Sequence, residues 1–439
     1  MMSVIAHYVF LYPLVTSFVW IVGALIFRRH YERGLDARAQ RQIDDDPPKV
    51  AIIVPCYNEE ADVLETVGNL LAQDYPNFEV ICVNDGSRDR TGEILDALAR
   101  QHARVRVIHQ ATNQGKAAAM HIAALMTRAE LLFCIDGDCL PNPDCTRLMV
   151  QQFLRSPRLG AVTGNPRIRT RSTLLGRIQV GEFSATIGLL KRAQRAYGRL
   201  FTASGVCTMF RRTALHEVGY WAKDMQTEDV DISWRLQLAH WDVQFQPAAV
   251  CWILMPETLR GLWAQRLRWA VGGTEVVLRS AGMWKRWKQR RMWPLFIEFA
   301  MSTFWAYAML FILVFQIAQV AFADDPVASL PQLWGWTGLV LAAACLLQIT
   351  VSVAIDLRYD QRLGRNLAWV VWYPAVYWTL HMMTTIVAVP KVLLGGRRKR
   401  AMWKSPDRGV RQAIDTATGA VTGSPVAAGQ PARAGGAAA

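Results

Sequence analysis

Hydrophobic residues form long runs near the two ends of the chain and short, regularly spaced runs between them. The first long run, from about Ile5 to Phe27, is long enough to span a bilayer. Later long runs cover residues 295–323, 333–355 and 367–390. This pattern predicts a membrane protein with an N-terminal transmembrane helix at 1–28 and a transmembrane region at 295–390.

Short apolar runs alternate with helical stretches between Lys49 and about Asp138. Four of these runs have the pattern of buried strands: VAIIVP, FEVICV, VRVIH and LLFCID. Alternating strands and helices are typical of a parallel sheet that is covered by helices. We therefore expect a charged linker at 29–48, followed at 49–280 by an α/β domain with a Rossmann-like, mostly parallel sheet and interfacial helices.

The composition agrees with a membrane protein, because 52% of the residues are hydrophobic and only 19% are charged. A net charge of +14 would suit a nucleic-acid partner. The Lys and Arg residues, however, cluster beside the apolar runs, as they do on the cytoplasmic side of membrane proteins. A membrane partner is therefore favoured over nucleic acid, and we expect the basic, Trp-containing juxtamembrane segment 281–294 to lie at the lipid headgroups.

Two further features concern the cysteines and the C-terminal end. The eight cysteines contain no CxxC pair, and most lie in apolar runs, so we expect reduced core residues rather than disulfides or a zinc site.

Residues 413–439 are rich in Ala, Gly, Pro and Thr without apolar periodicity, which predicts a disordered tail.

Polar side chains follow three of the predicted strands. Tyr57 and Glu59 follow the first strand, Asp85 ends the second, and Asp136 and Asp138 come directly after the fourth. Ligands bind beyond the carboxyl ends of the strands in an open parallel sheet, and no GxGxxG or P-loop is present to hold phosphates. Although an Asp-x-Asp is common on solvated loops, this one follows a buried strand and has a flexible central glycine. We expect it to bind Mg²⁺ or Mn²⁺.

Two more motifs lie further along the chain. Thr227-Glu228-Asp229 precedes a helical run, and by itself it fits an N-cap with first-turn acids. Gln265, Arg268 and Trp269 have the spacing of one helix face, which would present a cation for a diphosphate and an indole for a sugar. A basic interfacial helix explains the second motif almost equally well.

Taken in order, Asp85, the Asp-Gly-Asp, the Thr-Glu-Asp and the Gln-x-x-Arg-Trp resemble the motifs of the family 2 glycosyltransferases with a GT-A fold. The last motif resembles that of the processive branch, which includes cellulose, chitin and hyaluronan synthases. Segments 162–172, 179–182, 252–258 and 405–409 are similar to the catalytic subunits that make poly-β-1,6-N-acetylglucosamine in biofilms. The resemblance extends over nearly all of the chain before the tail. Some members have a second N-terminal span that this sequence lacks, so we expect a periplasmic N-terminus.

This resemblance implies a processive inverting glycosyltransferase that polymerises N-acetylglucosamine from UDP-GlcNAc onto a growing polysaccharide and exports the polymer. It implies that Asp85 and Asp136 contact the uridine and that Asp138, with Asp136, holds Mg²⁺ or Mn²⁺ on the diphosphate. Lys116 is a weaker donor contact, and Tyr57 and Glu59 belong to the same donor crevice.

For the acceptor side, the resemblance implies that Asp229 is the general base for the attacking hydroxyl. Arg268, from the same motif as Gln265, would offset charge on the leaving diphosphate, and Trp269 would stack on the acceptor sugar. Two alternatives stay open: another polymer synthase of the branch, which would need the same carboxylates, and a membrane sensor that has lost catalysis.

The resemblance also implies a multi-pass protein of the bacterial inner membrane with a cytoplasmic catalytic domain. It implies a small membrane partner subunit and activation by cyclic di-GMP. Residues 391–412 are expected to form a cytoplasmic gating loop, and a break at Pro374 would turn 367–390 into a re-entrant hairpin that keeps this loop on the cytoplasmic side.

Overall fold

The computed structural model describes residues 2–32, 46–322, 336–366, 369 and 373–395, and two short strands near the C-terminal end. The strands are β1 (Val50–Cys56), β2 (Phe78–Asp85), β3 (Val105–Gln110), β4 (Leu131–Ile135), β5 (Leu140–Pro141), β6 (Leu159–Ile168), β7 (Cys207–Arg211), β8 (Asp242–Ile253), β9 (Ile414–Asp415) and β10 (Ala420–Val421). Most of the predicted linker, the gating loop from residue 396 onward and the tail outside β9 and β10 lie beyond the described residues.

The α-helices are α1 (Met2–Phe27), α2 (Val63–Leu71), α3 (Thr91–Gln101), α4 (Lys116–Leu125), α5 (Cys145–Arg155), α6 (Leu174–Glu182), α7 (Leu190–Tyr197), α8 (Arg212–Glu217), α9 (Glu228–Leu238), α10 (Leu259–Arg279), α11 (Trp293–Ala321), α12 (Trp336–Asp356) and α13 (Tyr373–Leu394). Two π-helical segments, Arg28–Glu32 and Phe183–Leu189, follow α1 and α6. Short 3₁₀ segments lie at Ser280–Lys285, Trp287–Met292 and Leu363–Asn366.

One eight-stranded sheet in the order β3-β2-β1-β4-β7-β6-β8-β5 forms the centre of the soluble domain. Strands β3, β2, β1 and β4 run parallel to one another, as the alternation of strands and helices predicts. Strand β7 is antiparallel to both β4 and β6. The parallel strands β1, β2 and β4 therefore end at one edge, where their polar C-terminal residues meet.

Both faces of the central strands are buried, which explains why β1 and β2 consist of continuous apolar runs. Val50, Ile52 and Val54 pack with α2 on one face. Ala51 and Ile53 pack on the other face with the alanine-rich helix α4. The two-residue periodicity of the strand thus divides one short sequence between two cores.

Three helices of the described chain are long and apolar enough to cross a membrane: Met2–Glu32, Trp287–Ala321 and Thr337–Asp356. Helix α1 contacts α11 through the Trp305 indole, which donates to the Val9 carbonyl over 3.0 Å. It contacts α7 through the Tyr197 hydroxyl, which donates to the Val19 carbonyl over 2.7 Å. The N-terminal helix therefore packs against both a later apolar helix and the soluble domain.

Helix α13 covers the part of the predicted hairpin that follows Pro374. It runs without a fold-back from Tyr373 to Leu394, and Pro374 is its second residue. A proline at this position costs no helical hydrogen bond, because the first N–H groups of a helix have no partner within it. Most of residues 367–372, which would form the other limb of the predicted hairpin, lie outside the described residues, so the hairpin stays a prediction.

The cysteine prediction was wrong in part. Cys139 and Cys251 form a disulfide, with their Cα atoms 6.5 Å apart. Antiparallel pairing of β5 with β8 places Pro141 opposite Cys251 and so brings Cys139 within reach. The other six cysteines form no disulfide in the described structure and are buried, as expected.

A buried ion network joins the soluble domain to the apolar helices. The Arg192 guanidinium on α7 binds Glu32, which follows α1, at 3.1 Å and Asp356, which ends α12, at 2.8 Å. Arg167 on β6 binds the second oxygen of Asp356 at 2.7 Å. The Tyr359 hydroxyl donates to Glu32 over 2.5 Å. All four charged side chains are at most 2% exposed, so each depends on its partners to offset the cost of burial.

We expect Arg192→Met to destabilise the protein by about 3–5 kcal/mol, because it leaves buried carboxylates without their main cation. Thermal unfolding in detergent, followed by tryptophan fluorescence, would measure the effect. Arg90→Met is the matched control, since Arg90 belongs to an exposed pair with Glu93. Equal unfolding midpoints for the two variants would contradict a stabilising role for the network.

Candidate active site

A cavity of about 570 Å³ lies at the carboxyl edge of the sheet, and helix α10 forms part of its wall. Seven of the predicted site residues line it: Lys116, Asp136, Asp138, Asp229, Gln265, Arg268 and Trp269. They come from four separate parts of the sequence. Tyr57, Glu59 and Asp85 are not among the described residues that line this cavity.

Lys116 is surrounded by carboxylates. Its Nζ lies 2.5 Å from Asp136 Oδ1 and 3.4 Å from Glu228 Oε1, and it donates to the Gly205 carbonyl over 3.0 Å. Burial lowers the pKa of Lys116, but Asp136 and Glu228 raise it more, so the net pKa is above the usual value. Lys116 is therefore a fixed positive charge that holds Asp136 and the backbone at residue 205.

Asp85 lies behind this lysine. Its side chain is fully buried, and its two oxygens accept hydrogen bonds from the Gln114 and Gly115 N–H groups at 2.7 and 2.8 Å. Lys116 begins α4 directly after this turn. Asp85 therefore fixes the start of the helix that presents Lys116 to the cavity.

Gly137, which separates Asp136 from Asp138, makes close contacts with the protein behind the turn. A Cβ at Gly137 would lie 3.2 Å from the buried Glu59 side chain. The Gly137 carbonyl also accepts a hydrogen bond of 2.8 Å from the Thr66 hydroxyl. A larger residue here would require Glu59 to shift slightly, so Glu59 packs directly behind the Asp-Gly-Asp turn.

Asp229 is the second residue of α9 and is held by backbone donors. Its Oδ2 accepts from the Gly205 N–H at 3.0 Å, and its Oδ1 accepts from its neighbour Val230 N–H at 2.9 Å. Burial raises the pKa of Asp229 most, Glu228 also raises it, and Lys116 opposes the shift, so that the net pKa is about 6. A carboxylate with this pKa is ionised at neutral pH and is still basic enough to accept a proton.

Thr227 occupies the N-cap position of α9 but makes no side-chain capping hydrogen bond. It packs instead against Gly272 of α10, where a Cβ would clash with the threonine side chain. The simple N-cap interpretation of Thr-Glu-Asp therefore does not describe this helix. A small residue one turn after Trp269 lets α9 and α10 approach closely.

Helix α10 carries Gln265, Arg268 and Trp269 on the face that lines the cavity. Between them in sequence, Arg266 binds the buried Glu182 at 2.8 Å, and its guanidinium lies 4.3 Å from the Trp269 ring centroid. This contact orients the indole, which is 37% exposed. Arg266 is thus buried in the protein. A basic helix at the lipid headgroups would instead expose this arginine.

Sequence reasoning missed the wall opposite α10. Phe183, Ile187 and Lys191 line the cavity from the π-helical segment and α7, and Ser204 and Gly205 line it from a loop. The sequence around Lys191, Leu189-Leu-Lys-Arg-Ala193, has the appearance of a surface basic helix. Only the tertiary contacts place this lysine inside the protein.

The two carboxylates of the Asp-Gly-Asp motif fit a divalent cation that also binds the diphosphate of a substrate. No group of three or more His, Cys, Asp or Glu side chains within the described ranges has the arrangement of a metal site. Mg²⁺ is often held in proteins by one or two carboxylates together with substrate phosphates. Asp136 and Asp138 line the cavity and supply such a pair.

Comparisons with known proteins show which family the chain belongs to. The family described as "Glycosyltransferase like family 2" matches residues 47–272. The chain is 35% identical over 408 residues to "Poly-beta-1,6-N-acetyl-D-glucosamine synthase" of Staphylococcus epidermidis, with 92% of this chain and 98% of that protein covered. It is 36% identical over 410 residues to the protein of the same name in Staphylococcus aureus, with 92% and 99% covered.

Among solved structures, the fold is similar to that of "Mannosyltransferase PcManGT from Pyrobaculum calidifontis in complex with GDP-Man and Mn2+". The TM-score is 0.60 at 20% sequence identity, with 87% of this chain and 99% of that chain covered. The predicted fold class and the predicted enzyme class are thus confirmed. The chain belongs to the family 2 glycosyltransferases and has their GT-A fold.

Proposed function

We propose that this protein is a processive inverting N-acetylglucosaminyltransferase that polymerises UDP-GlcNAc into poly-β-1,6-N-acetyl-D-glucosamine. The observation that carries the proposal is that Asp138, Asp229 and Arg268, from three distant motifs, line one cavity beside apolar helices. The names of the relatives that match almost the whole chain support the choice of sugar and linkage.

In the proposed reaction, Asp229 accepts the proton of the acceptor hydroxyl while that oxygen attacks the anomeric carbon of the donor. A new glycosidic bond forms as the bond from the anomeric carbon to UDP breaks, on the opposite face of the sugar. Arg268 offsets the charge that develops on the leaving diphosphate, and Trp269 offers a flat surface to the acceptor. Asp136 and Asp138 would hold a divalent cation, which would supply further charge compensation.

The proposed setting is the bacterial inner membrane, with a cytoplasmic catalytic domain and export of the polymer for a biofilm matrix. The three apolar helices and the packing of α1 against the soluble domain support a membrane-embedded enzyme. A small partner subunit and cyclic di-GMP activation stay predictions. The gating loop around Trp403 lies outside the described residues.

We expect only UDP-N-acetylglucosamine, among separately supplied radiolabelled UDP-N-acetylglucosamine, UDP-glucose and UDP-glucuronate, to give a high-molecular-weight product in membranes that contain the protein. The product should be degraded by a β-1,6-specific hexosaminidase, and a chelator of divalent cations should stop its formation. Incorporation of glucose or glucuronate at a comparable rate would overturn the proposed substrate.

Asp229→Asn should lower the rate of transfer at least about 100-fold, because the amide cannot accept the hydroxyl proton. UDP affinity should change little, since the substitution preserves size. Single-turnover kinetics and UDP titration measure the two quantities. Asp224→Asn is the control, because Asp224 pairs with Arg279 outside the described cavity lining. This variant should leave both the transfer rate and the UDP affinity unchanged. Near-normal turnover of the Asp229 variant would remove it as the base.

The transfer rate should rise with pH through a midpoint near the Asp229 pKa of about 6, because only the ionised carboxylate can accept a proton. Glu228 raises this pKa, so Glu228→Gln should move the midpoint of the pH–rate profile to lower pH. Glu217→Gln is the control, because the Glu217 carboxylate accepts a hydrogen bond from the Trp241 indole outside the described cavity lining. This variant should leave the midpoint of the pH–rate profile unchanged. A shift to higher pH in the Glu228 variant would contradict the assignment.

A further inference from the structure

One wall of the cavity presents two apolar side chains and a buried cation. Phe183, Ile187 and Lys191 follow one another at intervals of four residues and all line the cavity. The first two belong to the π-helical segment, and Lys191 belongs to α7. Short π-helical segments within α-helices occur frequently at functional sites.

Lys191 is only 4% exposed and has few partners for its charge. Its Nζ donates to the Thr163 hydroxyl over 3.3 Å, and it lies 5.7 Å from the Phe245 ring centroid. No carboxylate of the described residues lies within ion-pair distance of it. An ammonium has three donors, and burial is costly for those that stay unused. This site therefore calls for an uncharged or anionic acceptor group from a ligand.

A short loop connects Lys191 to the proposed base and to Lys116. Thr163 Oγ1, which accepts from Lys191, also accepts from the Ser204 N–H at 2.9 Å. The next residue, Gly205, donates its N–H to Asp229, while its carbonyl accepts from Lys116. The backbone at Ser204 and Gly205 therefore contacts all three parts of the site. Ser204 is connected to Lys191 through Thr163, and Gly205 binds both Asp229 and Lys116.

We propose that Phe183, Ile187 and Lys191 form a subsite for the N-acetyl group of the acceptor sugar. The methyl group packs on the two apolar side chains, and the carbonyl oxygen accepts a hydrogen bond from Lys191. An acetamido group combines an apolar end with a strong acceptor, whereas the 2-hydroxyl of glucose has no methyl group to fill the apolar part. This inference rests on the proposed function and identifies residues that distinguish N-acetylglucosamine from glucose.

The test compares binding of two oligosaccharides to the full-length protein in nanodiscs: a β-1,6-linked N-acetylglucosamine tetrasaccharide and a β-1,6-linked glucose tetrasaccharide. The wild type should bind the first more tightly by about tenfold or more, as expected for a hydrogen bond from a charged donor. Lys191→Met should abolish most of this preference by weakening binding of the N-acetylated ligand alone. Lys223→Met, at an exposed lysine outside the described cavity lining, is the matched control.

Several outcomes would overturn the subsite. One is equal binding of the two oligosaccharides by the wild type. Another is a Lys191→Met variant that keeps the preference or that loses the same affinity for both oligosaccharides. A raised Kd for UDP in this variant would assign Lys191 to the donor site instead. If Lys191→Met does not fold, Ile187→Ala serves instead and should weaken only the N-acetylated ligand, by about fivefold. Failure of the proposed function is separate, because it would appear as a wild type that makes no polymer from UDP-N-acetylglucosamine.

Discussion

The buried ion network around Arg192 is the constraint on which the arrangement of the cavity depends. It fixes α7 to residues that follow α1, end α12 and lie within β6. Removing any one partner would leave an opposite charge buried without compensation, so these elements hold one relative position. The cost of burying the charges is met only when the apolar helices and the soluble domain are assembled together. The network therefore couples the two parts of the protein more strictly than apolar packing alone would.

The helical segment from Phe183 to Tyr197 has two functional faces. On one face, Ser184 and Arg192 bind Asp356 at the end of an apolar helix. On the other, Ile187 and Lys191 line the cavity. A shift of the apolar helices would thus move one wall of the cavity directly, with no intermediate element. This connection places the cavity wall and the apolar helix α12 in one assembly.

Much of the fold and part of the site follow from local sequence. Strands β1 to β4 were predicted because runs such as VAIIVP and FEVICV are apolar on both faces and separated by helical stretches. Strands β6 and β8 were not predicted, because they contain buried polar residues such as Asn165 and Gln246 that only tertiary hydrogen bonds or packing can accommodate. The hairpin predicted at Pro374 depends on residues 367–372, most of which lie outside the described ranges, so it stays a prediction.

The sequence by itself determined the chemistry of the chain: carboxylates at the ends of buried strands, an Asp in Thr-Glu-Asp and a cation with an indole on one helix face. Those properties depend on spacing and on side-chain type, which are local. Tertiary structure alone decided which of these groups share a cavity, that Glu59 and Asp85 support the site from behind, and that Lys191 enters it. Burial and the distances between charges set these roles, and both depend on contacts between residues far apart in the chain.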